Sequence, residues 1–582
     1  MWLKNKFSKF IFTYRYSLLL LLLFLFHVIN NYIIINQDNL PFIYDQRTHY
    51  IHAVEMYQVL SNPSLNLKEK MGILFFTHNY YYPFLRFWLT LPFFFIFGVS
   101  PKIALLSNLL YLFILIYAVY GIGFVLKDKF TGFIASFLVS FYPCILGFSR
   151  VYMLDLPITT LVTLAIYIML KSEYFQNKRY TFLLGITIAF SLLHKQTFLI
   201  YFTGPFLLYF LQTIYKYKKI TFGQIVYLFL IPSLIALPWY LNNFLGQLYF
   251  FKAGNFPFKT ERLINLITFI YSNLKNYQLY PFLTYLFYLC LFLYLIKKYK
   301  HKIIILTWLI SPIPFFILYT FEDSSRHTLP AIPASGIIIA CVLNNLCEYI
   351  NVNKKFLKLC KSYILTCLFI FCIMQFFFIN YKKDKSTITT FDFEERLHQE
   401  GMLYPCKFNY KGIDEALDLI MKDIKEEKNI ILGLDMRNIF TELLEFKIIS
   451  ENLKRIKILN LFSPFFLKND KKEGLKINFK PEYFDYILIA EPIEKFGDII
   501  LFYEKFPYKS QLCLTLFIYW VFEKSKIKLS LEEAEKIIYE LAKEIENSQN
   551  QFILLKKIEL PKSIFKEKRY PINYYLYKRI NP

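Results

Sequence analysis

Long apolar runs separated by short polar stretches fill roughly the first two thirds of the chain. Most runs approach the ~20 residues that a helix needs to cross the hydrocarbon core of a bilayer. The pattern therefore predicts a mostly helical protein that crosses a membrane many times. The runs cover 17–35, 84–98, 104–126, 131–148, 156–170, 181–193, 197–214, 223–241, 279–296, 303–320, 330–348 and 363–380.

Composition and charge support a membrane protein. Of the 582 residues, 56% are hydrophobic and 20% are aromatic, and the mean hydropathy is +0.37. A soluble chain of this length rarely carries so much apolar surface. The formal net charge of +24 comes from Lys and Arg in short clusters between the apolar runs. In such positions they act as topology signals and lipid-headgroup contacts, so we expect membrane lipids and no nucleic acid as partners.

The basic clusters also predict the path of the chain, because Lys and Arg favour the cytoplasmic side. The first apolar run follows four basic residues, and no small-residue cleavage site comes after it, so we expect a retained anchor with a cytoplasmic N-terminus. The first outer loop is then 37–83. Between this loop and Lys127 lie two runs where one crossing is required, so 84–98 or 104–126 is re-entrant, or the two form one broken span. With this correction we predict about eleven crossings.

The same charge count predicts that polar groups collect on the outer side of the membrane. Asp155, the turn at Lys195, and the loops 242–278 and 322–327 all fall on the side of Asp45. So does the part of the chain after Tyr381. We therefore expect chemistry at one membrane face, which favours a transfer reaction over passage of a substrate through the membrane.

The chain changes character near 381, and we divide it into a transmembrane domain, 1–380, and a soluble extracytoplasmic α/β domain, 381–582. Strand-like runs alternate with helical periodicity, which indicates a partly parallel sheet. Cys406 and Cys513 either form a disulfide or remain free thiols. Helices are predicted at 413–427, 437–449 and 530–547, and strands at 429–434, 456–461, 485–490 and 552–558.

Two carboxylates are the strongest candidates for chemistry. Asp45 lies in the first outer loop, and Asp155 lies at the start of an apolar run, six residues after Ser149. An ionisable residue at such a position indicates a functional site by default. A structural role is the alternative for Asp155, either as a helix cap or as the partner of Arg150.

Several cations accompany these carboxylates on the outer side. Lys195, Arg326 with His327, and His78 have the charge or the donors to hold an anionic group such as a phosphate. For Lys195, anchoring at the membrane interface is an equally good interpretation. The cysteines and histidines show no metal-ligand spacing, and no Gly-rich turn indicates a phosphate-binding loop.

Taken in order, these motifs resemble the GT-C glycosyltransferases, in the branch of the protein O-mannosyltransferases and lipid A aminoarabinose transferases. The first outer loop of that family carries an acidic motif, which here starts at Asp45 and continues to Ala53. Four further elements of the family follow in order. They are a turn similar to Pro-Pro-Leu-Tyr, which reads Tyr-Pro-Phe-Leu at 82–85, an Arg and Asp before an apolar run at 150–155, Leu-Pro-Trp-Tyr at 237–240 and Arg-x-x-Leu-Pro-x-x-Pro at 326–333.

This chain departs from the family pattern at three places. Gln46 replaces the second acidic residue that usually follows the first Asp, and His327 stands where Tyr is common. The basic residue that the family carries ahead of its double Pro has no clear counterpart, although His78 is near. These departures concern the contacts to the donor phosphate more than the class of protein.

The resemblance implies a polyprenyl-phosphate-linked sugar as donor and an inverting single displacement onto an acceptor hydroxyl. Asp45 would be the general base, and Asp155 would either orient the acceptor or keep Asp45 ionised through a shared Arg or His, with no cofactor and no metal. The acceptor stays open between lipid A, another envelope glycan and protein, and the location implied is the bacterial inner membrane. The residues expected to bind substrate are Arg47, His49, His78, Arg150, Lys195, Arg326 and His327.

Two alternatives belong to other functional classes. A transporter or flippase of lipid-linked glycans also has many spans and buried charges, but it usually shows an internal repeat, and we find none in this sequence. A catalytically inactive scaffold of the same fold is the other alternative, and it is suggested by Gln46.

Overall fold

The computed structural model describes most of the membrane-spanning part of the chain and separate stretches of the C-terminal part. All statements below concern these residues. They are 2–42, 44–74, 82–217, 221–244, 261–313, 324–349, 354–381, 401–405, 411–422, 430–434, 444, 446–449, 453, 456–460, 467–470, 474–477, 483–490, 551–559, 573–580 and five single residues between 536 and 547.

The predicted apolar runs are helical over most of their described residues. Short polar helices, Tyr44–Ser61 and Leu67–Gly72, follow the first of them and carry most of the first loop. The apolar helices are Trp2–Gln37, Leu85–Trp88, Leu91–Phe97, Pro101–Leu106, Asn108–Leu126, Lys129–Phe141, Pro143–Phe148, Asp155–Lys171, Lys178–Leu192, Phe198–Tyr217, Phe222–Ile225, Ile231–Asn242, Glu261–Asn273, Tyr280–Ile296, Lys302–Ile310, Pro333–Tyr349 and Lys354–Asn380, with π turns at Val226–Leu230 and Leu274–Gln278 and a 3₁₀ segment at Ser325–Ala331.

The chain is a multi-pass membrane protein. Within the described part, five helices are long and apolar enough to cross a membrane: Arg15–Gln37, Pro101–Leu126, Phe198–Tyr217, Phe222–Asn242 and Lys361–Asn380. A sixth is formed if Ser325–Ala331 and Pro333–Tyr349, which meet at an angle of 48°, count as one span. Other apolar helices are shorter or broken, so about eleven crossings stay a prediction.

The two runs that compete for one crossing differ in length. Leu85–Phe97 is short and is broken between Trp88 and Leu91, whereas Pro101–Leu126 has 26 residues. At 1.5 Å per residue the second helix is about 39 Å long, enough to cross a bilayer, and the first is too short. The structure thus favours 101–126 as the crossing.

The centre of the bundle is built by close helix packing. Asn108–Leu126 packs against Lys129–Phe141 and Asp155–Lys171, and Pro333–Tyr349 packs against Lys129–Phe141. A Cβ atom on Gly123 would lie 2.6 Å from the Cα atom of Gly132, so only glycine permits this approach. The rigid core fixes the ends of these helices, where the candidate residues lie.

The C-terminal part contains a mixed sheet and one well-described helix, Lys411–Lys422. The strands are β1 Ile430–Leu434, β2 Ile456–Asn460, β3 Leu467–Asp470, β4 Gly474–Ile477, β5 Tyr486–Ala490, β6 Phe552–Glu559 and β7 Asn573–Arg579. The sheet order is β2-β1-β5-β7-β6, with β1 parallel to β2 and β5, and with β7 antiparallel to β5 and β6. The hairpin β3–β4 and the strand β7 were not predicted, and Cys406 and Cys513 lie outside the described residues.

Candidate functional site

Asp45 forms an ion pair with a residue almost three hundred positions away. It lies in the first turn of the helix Tyr44–Ser61, and its Oδ2 atom is 3.2 Å from Nη1 of Arg326. Arg326 lies in the 3₁₀ segment Ser325–Ala331, which the Gln278 side chain holds by donating to the Ser325 carbonyl, at 2.7 Å. The Asp45 side chain keeps 41% of its surface exposed, so one face of the carboxylate is accessible.

Asp155 forms the second pair, with Lys195. The distance from Lys195 Nζ to Asp155 Oδ1 is 3.4 Å, and the two side chains are 13% and 4% exposed. Asp155 opens the helix Asp155–Lys171, yet the N-cap residue Leu154 makes no side-chain capping bond and Asp155 does not bond Arg150. The structure therefore shows neither of the structural roles considered for Asp155.

Two tyrosines connect these ion pairs into one cluster. The Tyr82 ring lies 5.2 Å from the ring of His49 and 5.8 Å from Lys195 Nζ. The Tyr201 hydroxyl donates to the His327 carbonyl at 2.6 Å and lies within electrostatic range of Asp155. Residues from five separate segments of the chain thus meet at one end of the bundle.

Two histidines of the first loop, His49 and His52, are buried, and burial disfavours their charged form. Burial lowers the pKa of His49 to about 3, although Asp45 acts in the opposite direction. Burial also lowers the pKa of His52, while Glu55, with its Oε2 atom 3.4 Å from His52 Nδ1, opposes the shift. Arg326 and Lys195 are the cations that pair with Asp45 and Asp155.

The remaining predicted residues have different positions. Arg150 is fully buried and donates to Asn31 at 2.8 Å and to the Leu403 carbonyl at 2.6 Å, among other neutral oxygens. It joins the bundle to residues 401–405, and it contacts neither carboxylate. Arg47 is partly buried on the Asp45 helix, and His78 lies outside the described residues.

One buried cation was not predicted from the sequence. Arg86 is fully buried, donates to Ser107 at 3.2 Å and to Asn108 at 2.6 Å, and packs 4.3 Å from the ring of Tyr152. It contributes to the electrostatic field at His49. The available signal was an Arg three residues after Pro83 at the start of an apolar run, where a charge is unusual.

The described residues contain no group of three or more His, Cys, Asp or Glu that could hold a metal ion. The cluster has instead two carboxylates, each paired with a basic side chain, together with aromatic and imidazole groups. Such a set can accept a proton at Asp45 and can stabilise an anion beside Arg326 or Lys195.

A sequence comparison supports the predicted resemblance over part of the chain. Residues 80–252 match the family model for dolichyl-phosphate-mannose-protein mannosyltransferase, a region that contains Arg86, Asp155 and Lys195. This match covers less than a third of the chain and ends before Arg326. No curated protein matches the chain.

Comparison with solved structures defines the fold. ArnT from Cupriavidus metallidurans, in a crystal structure bound to undecaprenyl phosphate, superposes with a TM-score of 0.51 at 11% identity. The match covers 84% of this chain and 95% of ArnT. The oligosaccharyltransferase AglB from Archaeoglobus fulgidus matches with a TM-score of 0.40 at 10% identity, over 96% of this chain and 88% of AglB.

The chain therefore has a GT-C fold. The resemblance predicted from the sequence is confirmed by this fold and by the family match. At 11% identity the likeness to ArnT defines architecture, and the chemistry has to be argued from the cluster itself.

Proposed function

We propose that the protein is a membrane glycosyltransferase that moves a sugar from a polyprenyl-phosphate donor to an acceptor hydroxyl on the outer face of the membrane. The observation that carries this proposal is the convergence of Asp45–Arg326 and Asp155–Lys195 at one end of a GT-C bundle. Each ion pair joins residues from different segments, so the fold itself assembles the cluster.

In this mechanism Asp45 acts as the general base. Its accessible carboxylate accepts the proton of the acceptor hydroxyl while that oxygen attacks the anomeric carbon of the sugar. The bond from the anomeric carbon to the phosphate oxygen breaks in the same step, which inverts the configuration and releases polyprenyl phosphate. General-base catalysis of this kind contributes about 10²–10⁴-fold to the rate.

The cations stabilise the leaving group. A polyprenyl phosphate gains negative charge as the bond to the sugar breaks, and a preorganised cation is most effective where such charge develops. Arg326 and Lys195 each lie beside a carboxylate of the cluster, whereas burial lowers the pKa of His49 to about 3, so this imidazole adds no positive charge. Asp155, held by Lys195, orients the acceptor or the sugar beside Asp45.

The membrane supplies the donor. Exposed apolar side chains cover the lipid-facing surfaces of the long helices, and the ArnT structure contains undecaprenyl phosphate. A lipid-linked donor of the same class would enter sideways and leave its phosphate at the polar end of the bundle. We propose a bacterial inner membrane as the location, an outer position for the C-terminal part, and lipid A, another envelope glycan or a protein as acceptor.

The decisive experiment is turnover by the purified protein in lipid, with a mixed pool of polyprenyl-phosphate sugars and release of free polyprenyl phosphate as the readout. We expect release by the wild type and a loss of at least about 10²-fold for Asp45→Asn. Asp38→Asn is the matched control, because Asp38 is an acidic residue at the start of the same loop. Its carboxylate accepts a hydrogen bond from the Leu40 amide, and an Asn side chain can accept the same bond. It should change release by about twofold at most.

Two results would contradict the proposal. Full release by Asp45→Asn would exclude Asp45 as the base. An intact wild-type protein that releases nothing from any donor would favour the transporter or the scaffold, and movement of a labelled lipid-linked glycan across the bilayer would then separate these two.

A further inference from the structure

Gln46 stands where the resembled family has a second acid, and its side chain turns away from the ion pairs. Asp45 and Gln46 are consecutive on one helix, so their side chains point about 100° apart. The Gln46 side chain is buried, and its Oε1 atom accepts a hydrogen bond from the Tyr152 amide at 2.8 Å. The residue next to the first carboxylate thus contacts the backbone three residues before the second, Asp155.

The segment that Gln46 contacts is held firmly on its other sides. Asn108 donates to the Ser149 and Val151 carbonyls, at 3.3 and 2.7 Å. The Tyr152 hydroxyl lies 2.7 Å from that of Thr90. Arg150 bonds Asn31, Asn380 and Leu403 on the far side. Residues 149–152 therefore form a fixed support for the start of the Asp155 helix.

The bond needs an acceptor oxygen but no charge. The Tyr152 amide is buried, and a buried donor without an acceptor is costly. Both Gln and Glu place an acceptor oxygen at the same distance from the backbone, so the residue found here keeps the geometry of the acidic residue while it removes a charge beside Asp45.

We propose that Gln46 is a positioning residue that fixes the separation between Asp45 and Asp155 through the Tyr152 amide. This proposal rests on the proposed transferase function, because the separation matters only if both carboxylates act on one substrate pair. A misplacement of about 1 Å in such a site can cost about 10²-fold in rate.

The test compares Gln46→Met, which keeps the shape and removes the acceptor, with Gln46→Glu, which keeps the acceptor. We expect Gln46→Met to lower kcat by about tenfold with little change in the KM for the donor. The kcat of Gln46→Glu should lie within about threefold of the wild-type value. Hydrogen exchange at the Tyr152 amide should be about tenfold faster in Gln46→Met and unchanged in Gln46→Glu.

Gln224→Met is the matched control for losing a buried glutamine. Gln224 is buried near the other end of the bundle, where its Nε2 atom donates to the Phe175 carbonyl at 3.0 Å. This variant should lower the melting temperature and leave kcat within about twofold. If Gln46→Met only impaired folding, its losses would match those of the control, and Gln46→Glu would show no selective recovery of kcat.

The outcomes separate the two proposals. Wild-type kcat and wild-type exchange in Gln46→Met would overturn the role of Gln46 while turnover by the wild type upholds the transferase. Faster exchange with unchanged kcat would also overturn it, because the support would then be structural only. A wild type without turnover would overturn the transferase and, with it, the positioning role, whatever the exchange data show.

Discussion

The two ends of the helix bundle both carry acidic residues at the start of a helix, but they use them differently. Asp128 opens the helix Lys129–Phe141 and accepts bonds from the Thr131 amide and hydroxyl, both at 2.8 Å. Asn344 donates to both of its oxygens at 3.1 Å, and Lys361 lies 3.6 Å away. Asp155 opens its helix without capping it, and its carboxylate faces one cation, Lys195.

Under the proposed function, the difference separates a carboxylate that stabilises the fold from one that acts on the substrate. Burial would raise the pKa of Asp128, but the bonds from Thr131 and Asn344 and the charge of Lys361 outweigh it and lower this pKa. The Asp128 oxygens are therefore occupied by protein donors. In the described structure Lys195 donates to the Asp155 carboxylate, and in the proposed mechanism the remaining acceptor positions bind a substrate hydroxyl.

The largest expected effect comes from making the same substitution at both ends. Asp155→Asn should lower turnover by at least about 10²-fold, because the amide can neither carry the charge nor accept as strongly. Asp128→Asn should leave turnover within about twofold, since Asn is an equally good N-cap residue. The release of polyprenyl phosphate measures both, and equal losses in the two variants would remove the distinction between the ends.

The cations that pair with Asp155 and Asp128 should differ in how much they contribute to the free energy of unfolding. Lys195→Met leaves Asp155 buried without its partner, so we expect a loss of about 3 kcal/mol in the free energy of unfolding. Lys361→Met removes a partner of the 38% exposed Asp128, which should cost about 1 kcal/mol or less. Thermal or denaturant unfolding of the purified protein measures both.

A double variant provides the control for this prediction. Adding Asp155→Asn to Lys195→Met removes the stranded charge, so most of the lost stability should return. A double variant that is less stable than Lys195→Met would show that the loss came from packing and not from an unpaired charge.

The sequence allowed the positions of the helices to be predicted, but not most of the contacts. Apolar runs determine helices because burial in lipid leaves the backbone few alternatives. The charge count predicted one membrane face for Asp45, Asp155, Lys195 and Arg326, and the structure joins these residues in two ion pairs, while their side of the membrane stays a prediction. The partners of Arg150 are 119 to 253 residues away and are neutral oxygens. Periodicity and charge carry no signal for such contacts.

The acidity of the medium should affect the first-loop end through His49. An unfolded His titrates near pH 6.5, whereas burial lowers the pKa of His49 to about 3. Between these values the unfolded chain binds a proton that the folded His49 does not, so stability falls as the pH drops below about 6.5 and is unaffected by His49 above it. The slope due to His49 is about 1.4 kcal/mol per pH unit at most.

Melting temperatures from about pH 8 to about pH 5 test this slope. His49→Gln should flatten the wild-type decrease in the acidic range and leave the difference between the variants constant above about pH 6.5. Parallel curves for both proteins across the whole range would contradict a buried, neutral His49.

The smallest effect distinguishes the two functions of Asp128 itself. Asp128→Ala removes the cap of its helix and the ion pair with Lys361, whereas Asp128→Asn removes only the charge. We expect a loss of about 1 kcal/mol for Asp128→Ala and less than half of that for Asp128→Asn, both by denaturant unfolding. Because the carboxylate does no chemistry at this end, both variants should turn over at the wild-type rate. If Asp128→Asn lost as much stability as Asp128→Ala, the ion pair with Lys361, and not the cap, would be the main stabilising interaction of Asp128. Capping would then no longer explain the difference between Asp128 and Asp155.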